Sequence, residues 1–224
     1  MVNRLLSTFS LVGINIFLAS SSKHDGQSKT AFEECRPDNL TISINAALVI
    51  DCINAFKDDY TIVNLGLPWD EAVTIYPDVE NDRLPICNQE DQCFNVLPNI
   101  TQGHHDPPSS GDELELTLVQ TLGFAQRYST AFDTLFLDEI LYDNNFEEEM
   151  KDAKGFVDVL SIELEDAVLS CGLRPSENLI QDLITKSYLG VASPDMRGLR
   201  GFGSLRQCLI GMNYIIEMFP VNEL

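Results

Sequence analysis

Apolar residues recur along this chain at helical spacing in four long stretches. Ile42, Ala46, Val49, Ile53, Phe56 and Tyr60 alternate steps of four and three, which places them on one stripe of a helix from about Asn39 to Asp59, capped by Asp38. The run Ala46 to Ile50 makes this helix apolar on more than one side. Leu118, Leu122, Ala125, Phe132, Leu135, Phe136 and Ile140 mark a second helix, from Asp112 or Glu113 to near Tyr142. The third has the cleanest pattern: Phe146, Met150, Ala153, Val157, Leu160, Leu164, Ala167 and Cys171 form a heptad stripe. Gly172 then suits a C-cap and Pro175 stops the helix. The last helix runs from about Met196 or Ser204 to Phe219, with Phe202, Leu205, Leu209, Met212, Ile216 and Phe219 in register. Gly198, Gly201, Gly203 and Gly211 weaken it, each by ~1 kcal/mol against alanine in a helix interior.

The connections order these helices. From Thr61 to Gly111 the chain carries Pro68, Pro77, Pro85, Pro98, Pro107 and Pro108, a density that forbids long helices and central strands. Asp143-Asn144-Asn145 is a short turn. A second long connection holds a shorter helix at 176–187, capped by Ser176, and ends at Pro194. A short link makes the second and third helices antiparallel neighbours, and two long crossovers let the first and second, and the third and fourth, run parallel. The expected fold is all-α: a long-chain four-helix bundle, up-up-down-down, with two long crossover connections.

Composition adds an address. Met1 to Arg4 is a short basic segment, Leu5 to Leu18 an apolar core, and Ala19 to Ser22 a run of small residues. This is the layout of a secretory signal peptide, with an apolar run shorter than the ~20 residues that span a bilayer. The expected organisation is a signal peptide at 1–22, a polar tail at 23–37 and one domain at 38–224, secreted and without stable membrane insertion. With 14 basic against 35 acidic residues and a net charge of −21, the surface repels phosphate backbones, which argues against nucleic acid, and suits a soluble monomer.

The six cysteines follow the predicted signal segment, as a disulfide framework in an oxidising compartment would. Cys35 precedes the first helix and Cys171 ends the third, at one end of such a bundle; Cys52 and Cys208 sit on an antiparallel pair; Cys87 and Cys93 close a small loop. The expected bridges are Cys35–Cys171, Cys52–Cys208 and Cys87–Cys93, out of fifteen pairings that six cysteines allow. Asn39 and Asn99 each begin an Asn-x-Thr sequon for glycosylation. The three histidines, His24, His104 and His105, lie in polar surroundings without zinc-ligand spacing, so no metal is expected.

The pieces from Leu116 to Leu141, with Gln126-Arg127-Tyr128 near the middle, and from Asn144-Asn145-Phe146 to Leu169-Ser170-Cys171-Gly172-Leu173-Arg174-Pro175, resemble the second and third helices of the interleukin-6 family of helical cytokines. The closest likeness is to its ciliary neurotrophic factor, cardiotrophin and cardiotrophin-like branch. The stretch from Gly201-Phe202-Gly203 to Leu209 looks like the family's aromatic-Gly opening of helix four, and the spacing of Cys87 and Cys93 is similar to a first-crossover disulfide of the wider family. The Phe-x-x-Lys that often opens helix four in that branch is absent from Met196 to Phe202. The resemblance implies two receptor sites. One joins the faces of the first and third helices. The other joins the end of the first crossover to the start of helix four, here Leu97 and Pro98 with Leu199, Arg200 and Phe202.

No catalytic motif stands out: there is no Gly-x-Ser-x-Gly, His-Glu-x-x-His or phosphate-binding Gly-x-x-x-x-Gly-Lys. His104-His105-Asp106 suits a polar loop, and Glu147-Glu148-Glu149 suits a helix N-terminus. On the third helix, Val159, Ile162 and Leu169 fall off the core stripe among Asp158, Glu165 and Asp166, as apolar anchors rimmed by charge would. Asp158, Val159, Ile162 and Glu165 are therefore the expected receptor contacts on that helix. The expected activity is that of a secreted cytokine-like ligand, without enzymatic function or cofactor, that binds and assembles class I cytokine receptor ectodomains. The alternative is a secreted helical carrier of a small apolar ligand.

Overall fold

The structure is a computed structural model that describes residues 37–77, 85–87, 93–95, 97–98, 100, 103–142, 145–174 and 194–221, with backbone alone for 85–87, 93–95 and 196. The predicted helix at 176–187 lies outside the described residues. Five helices are described: α1 (Asn39–Leu65), α2 (Trp69–Ile75), α3 (Gly111–Tyr142), α4 (Glu147–Ser170) and α5 (Pro194–Met218). The four long ones pack into a helical bundle.

Asp38 caps α1 as expected, its carboxylate accepting from the Thr41 backbone N–H at 3.1 Å and from the Thr41 hydroxyl at 2.8 Å. The helix continues past the predicted Asp59 to Leu65. It ends at Gly66, whose φ of 71° lets its N–H turn back to the Ile62 carbonyl. All six residues of the predicted stripe are buried. Length and apolarity alone would let α1 cross a bilayer, but this stripe is occupied by α4 and α5.

The connection that follows α1 is more structured than its prolines suggest. Pro68 precedes α2, a single short helix with Asp70 and Glu71 in its first turn. Trp69 is buried, its ring 5.0 Å from that of Phe202. Arg206 donates to the carbonyls of Tyr76 and Pro77 and ties the end of this segment to α5. Further on, β1 (Pro85–Cys87) and β2 (Cys93–Asn95) form an isolated antiparallel ladder. Its Pro85 is the first residue of its strand, a position that tolerates proline.

The polar contacts between helices fix which ends meet. On α1, Asn39 and Ser43 donate to the carbonyls of Pro220 and Phe219 at 3.3 and 2.5 Å, and Tyr60 lies beside Gly201. On α3, the buried Tyr128 hydroxyl donates to the Gln207 carbonyl at 2.8 Å, and Asp138 pairs with Arg200. Asp158 on α4 accepts from Ser129 at 2.5 Å, and Lys154 reaches Asp133 at 3.4 Å. The Phe146 ring meets those of Phe56 and Tyr60 at 6.2 and 5.2 Å.

The α4 stripe is buried as expected from Phe146 to Ala167, with Cys171 half-buried. Two stripes shift. On α5, Leu209 and Ile216 are half-buried while Cys208 and Ile215 are fully buried, because this helix is wedged between α1 and α3 and buries both flanks. On α3, Ile140 is 46% exposed, and Tyr128 and Ala131 fill the core instead.

Three glycines on α5 are sites of close approach: Gly198 against the Asn64 backbone carbonyl, Gly201 and Gly211. A Cβ at Gly201 would overlap the Tyr60 hydroxyl, and one at Gly211 would overlap the Tyr128 ring. Gly211→Ala should therefore destabilise by ~1–3 kcal/mol through overpacking, despite its better helix propensity. Gly155 on α4 has nothing near its missing Cβ, so Gly155→Ala should stabilise by ~0.5–1 kcal/mol. Urea midpoints with unchanged slopes check both.

Glu139, near the end of α3, accepts from the Phe146 backbone N–H at 3.1 Å and so clamps the start of α4. Burial pushes its carboxyl up to about 7; the Phe146 bond opposes this, while Asp138 and Glu149 push the same way. The neutral form is thus favoured in the fold. Its stabilising contribution is complete below the unfolded value of about 4.5 and is lost as pH rises through about 7. Thermal midpoints measured from pH 5 to pH 8 should fall for the native chain relative to Glu139→Gln, whose side chain does not titrate; parallel profiles would contradict this account.

Candidate functional site: a groove between the first and fourth helices

The receptor contacts expected on α4 divide. Val159, Ile162, Glu165 and Leu169 are exposed. Asp158 is half-buried and turned toward α3, accepting from Ser129 and from Lys154 at 2.5 Å, so it is engaged within the bundle. The second expected patch is not a surface. Leu97, Pro98, Leu199 and Phe202 are buried, and Arg200 is 2% exposed and paired with Asp138. α2 explains much of this. Trp69 and Tyr76 at its two ends place their rings against Phe202, so the start of α5 is covered rather than offered to a partner.

The expected Cys52–Cys208 bridge is also corrected: both are free thiols. Cys208 points into the core, whereas Cys52 is half-buried on the flank of α1. Burial raises both thiols, Cys52 to about 11, with Asp152 and Glu149 adding to its shift. Cys171 is disulfide-bonded, and its partner is not among the described side chains. Cys35 and Asn99 lie outside the described residues, as do the side chains of Cys87 and Cys93, whose backbones face each other across the ladder. Asn39 is half-buried and its amide already donates to Pro220, so a glycan there must fit beside the end of α5.

His104 and His105 tether a loop to α5. The His105 backbone N–H donates to Glu217 at 2.8 Å, and His104 lies 3.7 Å from the same carboxylate. The His105 ring stands edge-on to Tyr214 at 4.9 Å. Among the described residues no cluster of His, Cys, Asp or Glu is arranged to hold a metal.

One surface does combine concavity, apolar area and charge. Between α1 and the first half of α4 runs an open groove of about 430 Å³. From α1 come Leu48, Asp51, Cys52, Ala55, Phe56 and Asp59; from α4 and the residue before it come Phe146, Glu149, Asp152 and Phe156. Phe56 and Phe146 are buried in its floor, while Leu48 and Phe156 are 40% and 36% exposed on its walls. The carboxylates of Asp51, Asp59, Glu149 and Asp152 have no hydrogen-bonding or ion-pair partner among the described residues. The α4 lysines serve elsewhere: Lys151 pairs with Glu148, and Lys154 with Asp133 and Asp158. Phe56 and Phe146 belong to the predicted core stripes, whereas the other groove residues flank those stripes, which is why stripe counting overlooks the groove. The available signal was the excess of apolar residues around α1.

A second hollow, of about 30 Å³, lies where Tyr60 and Asn64 of α1 meet Glu139 and Arg197, and is no larger than a water site. No protein-family model, curated protein or solved structure matches the chain, so its function rests on the geometry described above.

Proposed function

We propose that this protein is a secreted cytokine-like signalling ligand, in which the groove between α1 and α4 docks a single-span helical-cytokine receptor. The groove carries the reading: it presents exposed apolar side chains next to a buried aromatic floor, rimmed by charge, the composition of a protein-docking surface. The joint face of the first and third long helices is also where the interleukin-6 family resemblance places a receptor site.

The architecture we infer is the up-up-down-down bundle with two long crossovers. The beginning of α1 bonds to the end of α5, and the end of α1 meets the beginning of both α4 and α5. Early α3 meets late α5 and late α3 meets early α5, which supports α1 and α3 running together against α4 and α5. The basic-then-apolar layout of 1–22 supports secretion through a signal peptide. A monomeric ligand of this kind needs no cofactor and no catalysis. The carrier alternative would use an enclosed apolar cavity; an open groove lined by four carboxylates suits a protein partner better than a stored neutral lipid.

Surface plasmon resonance of the purified secreted chain against a panel of class I cytokine receptor ectodomains should find at least one binder. Phe156→Ala should weaken that binding on the order of tenfold with the helical circular dichroism unchanged. Failure of every ectodomain, together with retention of lipid from an extract, would overturn the ligand reading.

A further inference from the structure

We infer that the groove between α1 and α4 takes a positively charged amphipathic segment of a partner protein, one whose apolar side chains enter the groove while its lysines or arginines meet the rim. The inference rests on the reading above that this face docks a protein, and it names the chemistry of that partner.

The physical case is one of charge complementarity. Asp51 and Asp59 on α1 face Glu149 and Asp152 on α4 across an apolar floor, and no basic residue lines the groove. Four unpaired carboxylates around one concavity repel one another, and nothing within the described bundle compensates for them. A cation arriving on the same segment as an apolar anchor relieves that repulsion and covers Leu48 and Phe156 in one step. Burial is the main cause that raises the Cys52 thiol, and the nearby carboxylates of Asp152 and Glu149 add to it. A second copy of this chain is disfavoured as occupant, because it carries the same net charge of −21. A neutral or acidic lipid gains nothing from the rim.

Cys52 makes the groove measurable. It lines the wall and is free, whereas the other described free thiol, Cys208, is buried. The probes are a fluorescent amphipathic Lys/Leu helical peptide and its Glu/Leu counterpart of identical pattern. Fluorescence anisotropy should show the Lys/Leu peptide binding at least ~10-fold tighter than the Glu/Leu peptide, with affinity falling as salt is raised. Because the chain as a whole is acidic, the control is Asp112→Lys, an exposed position of α3 outside the groove. Asp152→Lys should weaken the Lys/Leu peptide several-fold more than Asp112→Lys does. Saturating peptide should slow alkylation of Cys52, with Cys208 remaining unreacted until the chain unfolds.

Equal loss in the two variants, or unslowed alkylation of Cys52 in the bound state, would place the peptide elsewhere and overturn the inference. So would displacement of the peptide by dodecylammonium at equal molar concentration, which would make the occupant a small cationic amphiphile, or sedimentation as a dimer that shields Cys52. If the peptide fails while a receptor ectodomain still loses affinity on Phe156→Ala, the docking face stands and its preference for a basic partner falls.

Discussion

More of α1 is apolar than the bundle covers, and much else follows from that excess. Its core stripe from Ile42 to Tyr60 is sealed by α4 and α5. Leu40, Ile44 and Leu48 remain exposed along a neighbouring line. A helix with two apolar lines must bury one and leave the other to solvent or to a partner. Beside α4, the end of that line at Leu48 becomes part of the wall of a groove. Phe156 supplies the opposite wall, and Phe146 closes one end against Phe56 and Tyr60.

Charge is distributed by the same logic. Lys154 and Asp158 face α3 and are engaged with Asp133 and Ser129, while Glu149 and Asp152 face α1 with no cation to meet. The two flanks of one helix thus do different work: one latches the bundle, the other leaves a negative field over apolar surface. Deeper in, Arg200 and Asp138 pair where both are removed from water, and the tyrosine hydroxyls of α1 and α3 reach α5 at its glycines. A buried pair of this kind costs heavily when one partner is removed, roughly 3–5 kcal/mol, and so constrains how α3 and α5 register.

Most of the bundle was legible in the sequence because long amphipathic stripes are set by local periodicity. The α1 and α4 stripes were read correctly nearly residue for residue, as were the Asp38 cap and the end of α3 at Tyr142. What escaped depended on tertiary packing. α2 is too short to show a period, and Trp69 acquires its place only against Phe202. On α5, Phe202, Leu205, Met212 and Phe219 are buried as read, while Leu209 and Ile216 give way to Cys208 and Ile215 because that helix has neighbours on two sides. Arg200, a charged residue near a predicted helix start, reads as surface until Asp138 is seen beside it. The groove was half legible: its apolar excess was visible on α1, but its acidic rim belongs to two helices far apart in sequence.

Hydrogen–deuterium exchange of the chain, alone and with a receptor ectodomain that binds it, tests the central claim most directly. The account predicts added protection in the α1 segment from Leu48 to Asp59 and in the α4 segment from Glu149 to Phe156, the two walls of one groove. Protection confined to α3 and α5, with both groove walls unchanged, would contradict it.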